Sequence, residues 1–288
     1  MIKLNKYCIP YIIILFLVGF RGQLATIFIF VILHEFIHYL TARKLGFSGF
    51  HIEILPFGAS LKLKDLEEAS CKEEFIISIS GPMMNFVLAV IFYAALKMYD
   101  YDEFYNFFII NLSLGIFNLL PAFPLDGGRI LRDILCKKLL YKKASKITVY
   151  VSMTIGIILQ ILYLVPLFYG VNNLNLILIS FFILSCSFKE KRRIVYVIME
   201  DIMKKRLKFM KNGVIENRII SVFYKKDLLF GLGMIDKNKY TILTVLDDNM
   251  RVMKIIYEEE IINALKEYGN ITFEELIQIK GKNVELNS

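Results

Sequence analysis

The sequence predicts an all-α membrane protein. It reads as a six-span polytopic helical bundle with a short β-hairpin after span 2, followed by a small C-terminal α+β domain. Three observations carry this. Several apolar runs approach about 20 residues, the length a helix needs to cross hydrocarbon. Hydrophobic residues make up 56% of the chain, and its mean hydropathy is +0.54. Lys and Arg, which leave a net charge of +8, gather in alternate loops between the runs, as cytoplasmic loops do. That bias accounts for the basic balance, so nucleic acid is not an expected partner.

The elements follow in order. Span 1 covers about 7–20. It has the apolar core of a signal peptide, but Val18-Gly19-Phe20-Arg21 is a poor cleavage site, so it reads as retained. Span 2, about 23–42, contains His34-Glu35-Phe36-Ile37-His38. Gly49 to Leu63 alternates in two halves around Pro56-Phe57-Gly58, the pattern of a hairpin. Span 3 covers about 75–97 and holds Gly81-Pro82, expected to loosen the helix locally, and Asn85. Span 4 starts near Phe104 and must break at Pro121, Pro124, Gly127 and Gly128. A basic loop over 137–146 precedes span 5, about 147–168, and span 6 covers about 174–188. Lys/Arg placement then puts both termini in the cytoplasm. Residues 1–193 form the membrane domain. Residues 194–288 form the α+β domain, with strands over 241–246 and 251–256 and an amphipathic helix over 258–268.

The chemistry centres on span 2. Residues four apart share a helix face, so His34 and His38 can offer two imidazole nitrogens to one ion, and Glu35 can reach a water beside it. Only 3 histidines occur in the chain, and two of them stand in this motif. Ionisable groups at membrane depth are expensive and usually functional. Broken backbone at that depth must be buried in protein or line a wet cavity, which offers Asp126 as the carboxylate that two imidazoles lack for Zn2+. Such a site leaves one position for water, with Glu35 as general base. Asn118 and Asn85 are candidates to hydrogen-bond substrate backbone or the tetrahedral intermediate. The hairpin, with Pro56 and Phe57 at its turn, can offer an edge to an unwound substrate. Cys8, Cys71, Cys136 and Cys186 are scattered without a CxxC pair, and predict neither a disulfide framework nor a thiolate metal site. A divalent-cation transporter with a nucleotide-sensing domain is the alternative of another class. Clustering of the ionisable groups at one point favours chemistry over a transport path.

The motif His34-Glu35-x-x-His38, with Gly81-Pro82-x-x-Asn85 and Asn118-x-x-Pro121-x-x-x-Leu125-Asp126-Gly127 after it, closely resembles the site-2 protease family of intramembrane zinc metalloproteases. The resemblance covers roughly residues 1–190. It implies His34, His38 and Asp126 as zinc ligands and Glu35 as the catalytic glutamate. Leu55-Pro56-Phe57-Gly58 and Lys72-Glu73-Glu74-Phe75 are similar to the members that act in endospore formation. That similarity implies a sporulation sigma-factor precursor, pro-sigma-K, as substrate. It also implies inhibitory membrane proteins as partners and the membrane around the forespore as location. A housekeeping protease of other membrane-bound substrates is the runner-up. The C-terminal domain resembles a single CBS unit. CBS units bind ATP or another adenine nucleotide, usually as a pair, which would require a homo-oligomer here.

Overall fold

The computed structural model describes residues 2–4, 21–47, 50–55, 58–63, 69–99, 101–168, 174–237 and 239–285. The chain divides into two compact units. One comprises 1–139 with 143–194, the other 195–288 with 140–142.

In the first unit, helix α1 (Arg21–Lys44) buries Phe30, His34, His38 and Ala42, one residue per turn along a single stripe. Its opposite face leaves Ile29, Ile32, Leu33 and Phe36 exposed, an apolar surface suited to lipid. Helix α2 (Cys71–Met98) starts at a capping box. The Ser70 hydroxyl accepts from the Glu73 amide at 3.3 Å, and the Glu73 carboxylate accepts from the Ser70 amide at 2.8 Å. Helix α2 buries Ile77, Gly81, Asn85 and Ala89, again one per turn. It runs unbroken through Pro82, where local loosening was expected. Neighbouring helices pack along it and hold the helical path despite the missing amide.

Helix α3 (Asp102–Asn118) and the short helix α4 (Asp126–Leu135) both pack on α2. Phe30, Phe92 and Phe107 interlock edge to face at 5.2–5.7 Å between ring centres, tying α1, α2 and α3 together. Helices α5 (Tyr141–Phe168) and α6 (Leu174–Asn212) follow. Lys142, Lys143 and Lys146 thus lie in α5, not in a loop, and α6 continues well past Phe188. Lys, Glu and Arg are good helix formers, and their charge alone does not end a helix.

Among the described residues, three helical stretches are long and apolar enough to cross a membrane: Ala25–Lys44, Cys71–Met98 and Tyr141–Leu164. They fall at expected spans 2, 3 and 5. Expected span 1 lies outside the described residues. Expected span 4 corresponds to the 17-residue α3, and span 6 to the start of the 39-residue α6.

A small sheet accompanies these helices. Strand β2 (Phe50–Leu55) pairs antiparallel with β3 (Gly58–Leu63) from Phe50↔Leu63 to Leu55↔Gly58. Pro56 and Phe57, expected at the turn, lie outside the described residues. Strand β1 (Ile2–Leu4), which the sequence did not predict, pairs parallel to β2.

The second unit holds a three-stranded sheet in the order β4 (Glu216–Phe223), β5 (Lys239–Leu246), β6 (Val252–Tyr257). Strands β4 and β5 are parallel, with α7 (Leu228–Leu232) between them in sequence. Strands β5 and β6 form an antiparallel hairpin, and α8 (Glu258–Tyr268) follows. Helix α9 (Phe273–Glu285) was also not predicted. It starts at a Thr272/Glu275 capping box, whose two hydrogen bonds measure 2.8 and 3.2 Å. Leu228, Leu243, Val245, Ile256, Ile261, Phe273 and Leu276 make the core.

Beside this core, the buried Lys205 ammonium on α6 donates to both Glu258 carboxylate oxygens at 2.9 and 3.1 Å and to the Asp236 carbonyl at 2.7 Å. Burial pushes the Glu258 carboxyl above the usual carboxylate range, and Lys205 pulls it back. A carboxyl raised in this way holds its proton more tightly in the fold. Its contribution to stability therefore falls as pH rises toward the folded value. Removing Lys205 removes the opposing pull. Lys205→Met should cost about 3–5 kcal/mol at neutral pH, the effect of stranding a buried charge. That cost should shrink at mildly acidic pH as Glu258 takes up a proton. Thermal unfolding of the full-length protein at both pH values measures it, and an equal cost at both would remove Glu258 from the explanation.

Candidate metal centre

The stripes of α1 and α2 meet in antiparallel order. Ala42 packs with Ile77, His38 bonds to the Ile77 carbonyl, and His34 bonds to Asn85. Each histidine donates its Nδ1 hydrogen to an oxygen on α2. From His34 it goes to Asn85 Oδ1 at 2.9 Å, and from His38 to the Ile77 carbonyl at 2.7 Å. With Nδ1 protonated, both Nε2 atoms carry free lone pairs. These lie 3.0 Å apart and face Asp126 Oδ2 at 3.0 and 3.1 Å.

The space for this convergence comes from Gly81. A Cβ there would sit 2.5 Å from His38 Nε2 and 2.6 Å from His34 Nε2. Gly81 therefore gives room to both imidazole edges, a backbone role that only glycine fills.

Asp126 arrives by a different route. Helix α3 ends at Asn118, and Pro121 cannot continue it. Residues 119–125 fold back irregularly, and Phe123 donates its amide to the Ser152 hydroxyl at 2.9 Å. The chain then enters α4 with Asp126 as its first residue. The Asp-Gly-Gly sequence is thus the opening turn of a helix rather than a loop. A Cβ on Gly127 would strike the Leu119 and Leu120 carbonyls, and one on Gly128 would lie 2.7 Å from Ala122. The paired glycines let the returning loop close on α4 and bring Asp126 under the imidazoles.

Three acceptor atoms face one another here, all from residues that are largely buried. Without a cation or proton between them they would repel. Their spacing is near the roughly 3.3 Å expected for ligands about 2 Å from a shared tetrahedral zinc. The Nδ1 hydrogen bonds are the supporting contacts that metal-bound histidines use. The donor set therefore fits zinc.

Of the other predicted site residues, Glu35 is half-buried, and its charge interacts with His34, His38, Asp126 and Arg129. Asn85, expected at the substrate, is instead bonded to His34 and orients that ring. Asn118 donates to the Leu114 carbonyl of its own helix at 3.0 Å and is not joined to the cluster. Sequence reasoning missed Gly81 and Ile77 as site residues, although Ile77, Gly81 and Asn85 recur at the four-residue spacing of one helix face.

Gly81→Ala should drive the imidazoles apart and empty the site, leaving the helix content unchanged by circular dichroism. Asn85→Ala should weaken metal affinity by about 10–100-fold, the usual cost of losing such a support. Metal content of the purified variants, read by mass spectrometry, checks both.

Comparisons with known proteins agree with this geometry. The model of peptidase family M50 matches residues 22–102 and 98–159, which include all three converging side chains. A zinc metalloprotease of Methanocaldococcus jannaschii is 31% identical over 224 residues, covering 74% of this chain and 63% of that protein. Stage IV sporulation protein FB of Bacillus subtilis is 30% identical over 155 residues, covering 52% of this chain and 54% of that protein. These alignments thus span between half and two thirds of each relative. The solved structure of a site-2 protease from Methanocaldococcus jannaschii superposes with a TM-score of 0.53 at 30% identity, covering 66% of this chain and 90% of that one. On the family model, these relatives and that structural match, the chain belongs to peptidase family M50, the site-2 proteases.

Proposed function

We propose that this protein is an intramembrane zinc metalloprotease that hydrolyses a peptide bond in or near the membrane. Its substrate on this reading is a sporulation sigma-factor precursor, pro-sigma-K. The observation that carries the reading is the convergence of His34 Nε2, His38 Nε2 and Asp126 Oδ2 within 3.0–3.1 Å beside Glu35. His34, His38 and Asp126 hold the ion. Zinc, when bound, supplies Lewis acidity that polarises a peptide carbonyl and acidifies the attacking water. Glu35 takes the proton from that water and passes it to the leaving amine. Asn85 and the Ile77 carbonyl keep both rings in the tautomer that ligation requires.

The substrate must present an extended backbone, because a helix hides its carbonyls. Among the described residues β3 pairs only with β2, which supports strand addition at its other edge as the way a substrate docks. Similarity to stage IV sporulation protein FB supports the sporulation setting. On that basis the protein works in the membrane around the forespore of an endospore-forming bacterium, under inhibitory membrane proteins. Six spans with both termini cytoplasmic fit the Lys/Arg distribution. Residues 194–288 act as a CBS-like domain. Their β4-α7-β5-β6-α8 order supports that reading, and a second copy of the chain would complete a site for ATP or another adenine nucleotide.

Co-expression with the sigma-factor precursor tests the proposal. Wild type should yield the processed product. Glu35→Gln should lower cleavage by about 10²–10⁴-fold while keeping its metal. Cleavage by Glu35→Gln at the wild-type rate would remove the assigned base. An intact precursor alongside cleavage of another membrane protein would favour the housekeeping role.

A further inference from the structure

The fold assembles a second group of metal-binding side chains outside the site above. Cys71 is the first residue of α2. Asp133 stands in the last turns of α4, and Cys136 caps that helix. The sulfur atoms of Cys71 and Cys136 and a carboxylate oxygen of Asp133 lie within 4.8 Å of one another. Neither cysteine is in a disulfide. Sequence spacing predicted no thiolate site, because these residues meet only through the packing of α4 on α2.

The surroundings call for a cation. The Asp133 side chain is fully buried. Its Oδ1 accepts from Arg132 Nε at 3.2 Å, while its Oδ2 has no hydrogen-bond partner among the described residues. A buried carboxylate oxygen left in that condition is costly. Glu74 is also buried and forms an ion pair with the same Arg132. Glu74 and Asp133 therefore both face the Arg132 guanidinium at a place with little water.

We propose that Cys71, Asp133 and Cys136 form a second cation site, which takes a thiophilic divalent ion such as Zn2+ and pins the end of α4 to the start of α2. Two sulfurs and one oxygen suit zinc-like ions and not magnesium or calcium, which prefer oxygen alone. Metal–sulfur bonds of about 2.3 Å place ligand atoms roughly 3.5–3.8 Å apart, so small side-chain rotations close the cluster on an ion. Each thiol releases its proton to solvent as it binds, and no redox step is involved. The site lies about 10–15 Å along α4 from Asp126, counted at 1.5 Å per residue, so it is separate from the first centre while steadying the helix that carries it.

Cobalt substitution of the full-length protein in detergent tests this directly. His34, His38 and Asp126 contain no sulfur, so a thiolate-to-cobalt charge-transfer band reports the second site alone. The expected result is that band in wild type, together with a second metal ion per chain. Cys136→Ser should lose the band and that ion while keeping the other. His38→Ala should keep the band. The wild-type spectrum decides the matter even where a variant fails to fold. A single ion per chain with no such band overturns the proposal, as does a Cys71–Cys136 disulfide mapped in protein purified under reducing conditions.

Discussion

Two imidazole lone pairs and a carboxylate oxygen cannot be held at 3 Å from one another unless something fixes their directions. Here the fixing is done from behind the rings. The Nδ1 hydrogens are committed to Asn85 Oδ1 and the Ile77 carbonyl, both on α2. The front of the site is therefore set by the back, and the back is set by how α1 and α2 meet. Each helix contributes a stripe of residues spaced by four, and the stripes run in opposite directions. Phe30 at one end is locked by Phe92 and Phe107, and Ala42 at the other packs on Ile77. Between these ends the helices approach closely enough that only glycine fits at position 81.

The third donor depends on an opposite strategy. Where α1 and α2 are continuous, the route to Asp126 is a deliberate interruption. Pro121 stops α3, the backbone doubles back, and Gly127 and Gly128 let it pass against the new helix. Regular helices set the direction of two donors, and a break supplies the third from an angle that no straight helix could reach. The Glu74–Arg132 ion pair then ties α4 to α2, so all three donors refer to the same central helix.

Much of this was legible in the sequence because its signals are local. His34 and His38 sit at helical spacing in an apolar run, and Pro121 and Pro124 mark the break before Asp126, whereas Gly127 and Gly128, read as part of that break, lie in the first turn of α4. The hairpin was legible from alternation on either side of a short turn, though Gly58, read as part of that turn, pairs in β3. What sequence reasoning missed depends on distant partners. Asn85 was readable as a buried amide, yet only the approach of α1 makes it a support for His34. Gly81 reads as a helix-loosening residue until the imidazole edges beside it are known. Strand β1 has three residues, too few for a periodic signal. Helix α9 did carry a local mark, the Thr272-x-x-Glu275 cap, on a weakly patterned segment.

The absent side chain at position 81 also bears on which ion is accepted. First-row divalent metals bind such donors in an order set by their intrinsic affinity, and proteins override that order chiefly through geometry. With no side chain on α2 at this level, only the two imidazole edges fill the gap, and the gauge of the site is the separation of the two helices. That separation is fixed a turn beyond His34 by the volume of three phenyl rings. The hydrocarbon-like packing therefore works as a calliper, and ionic preference is written partly in residues that never touch the ion.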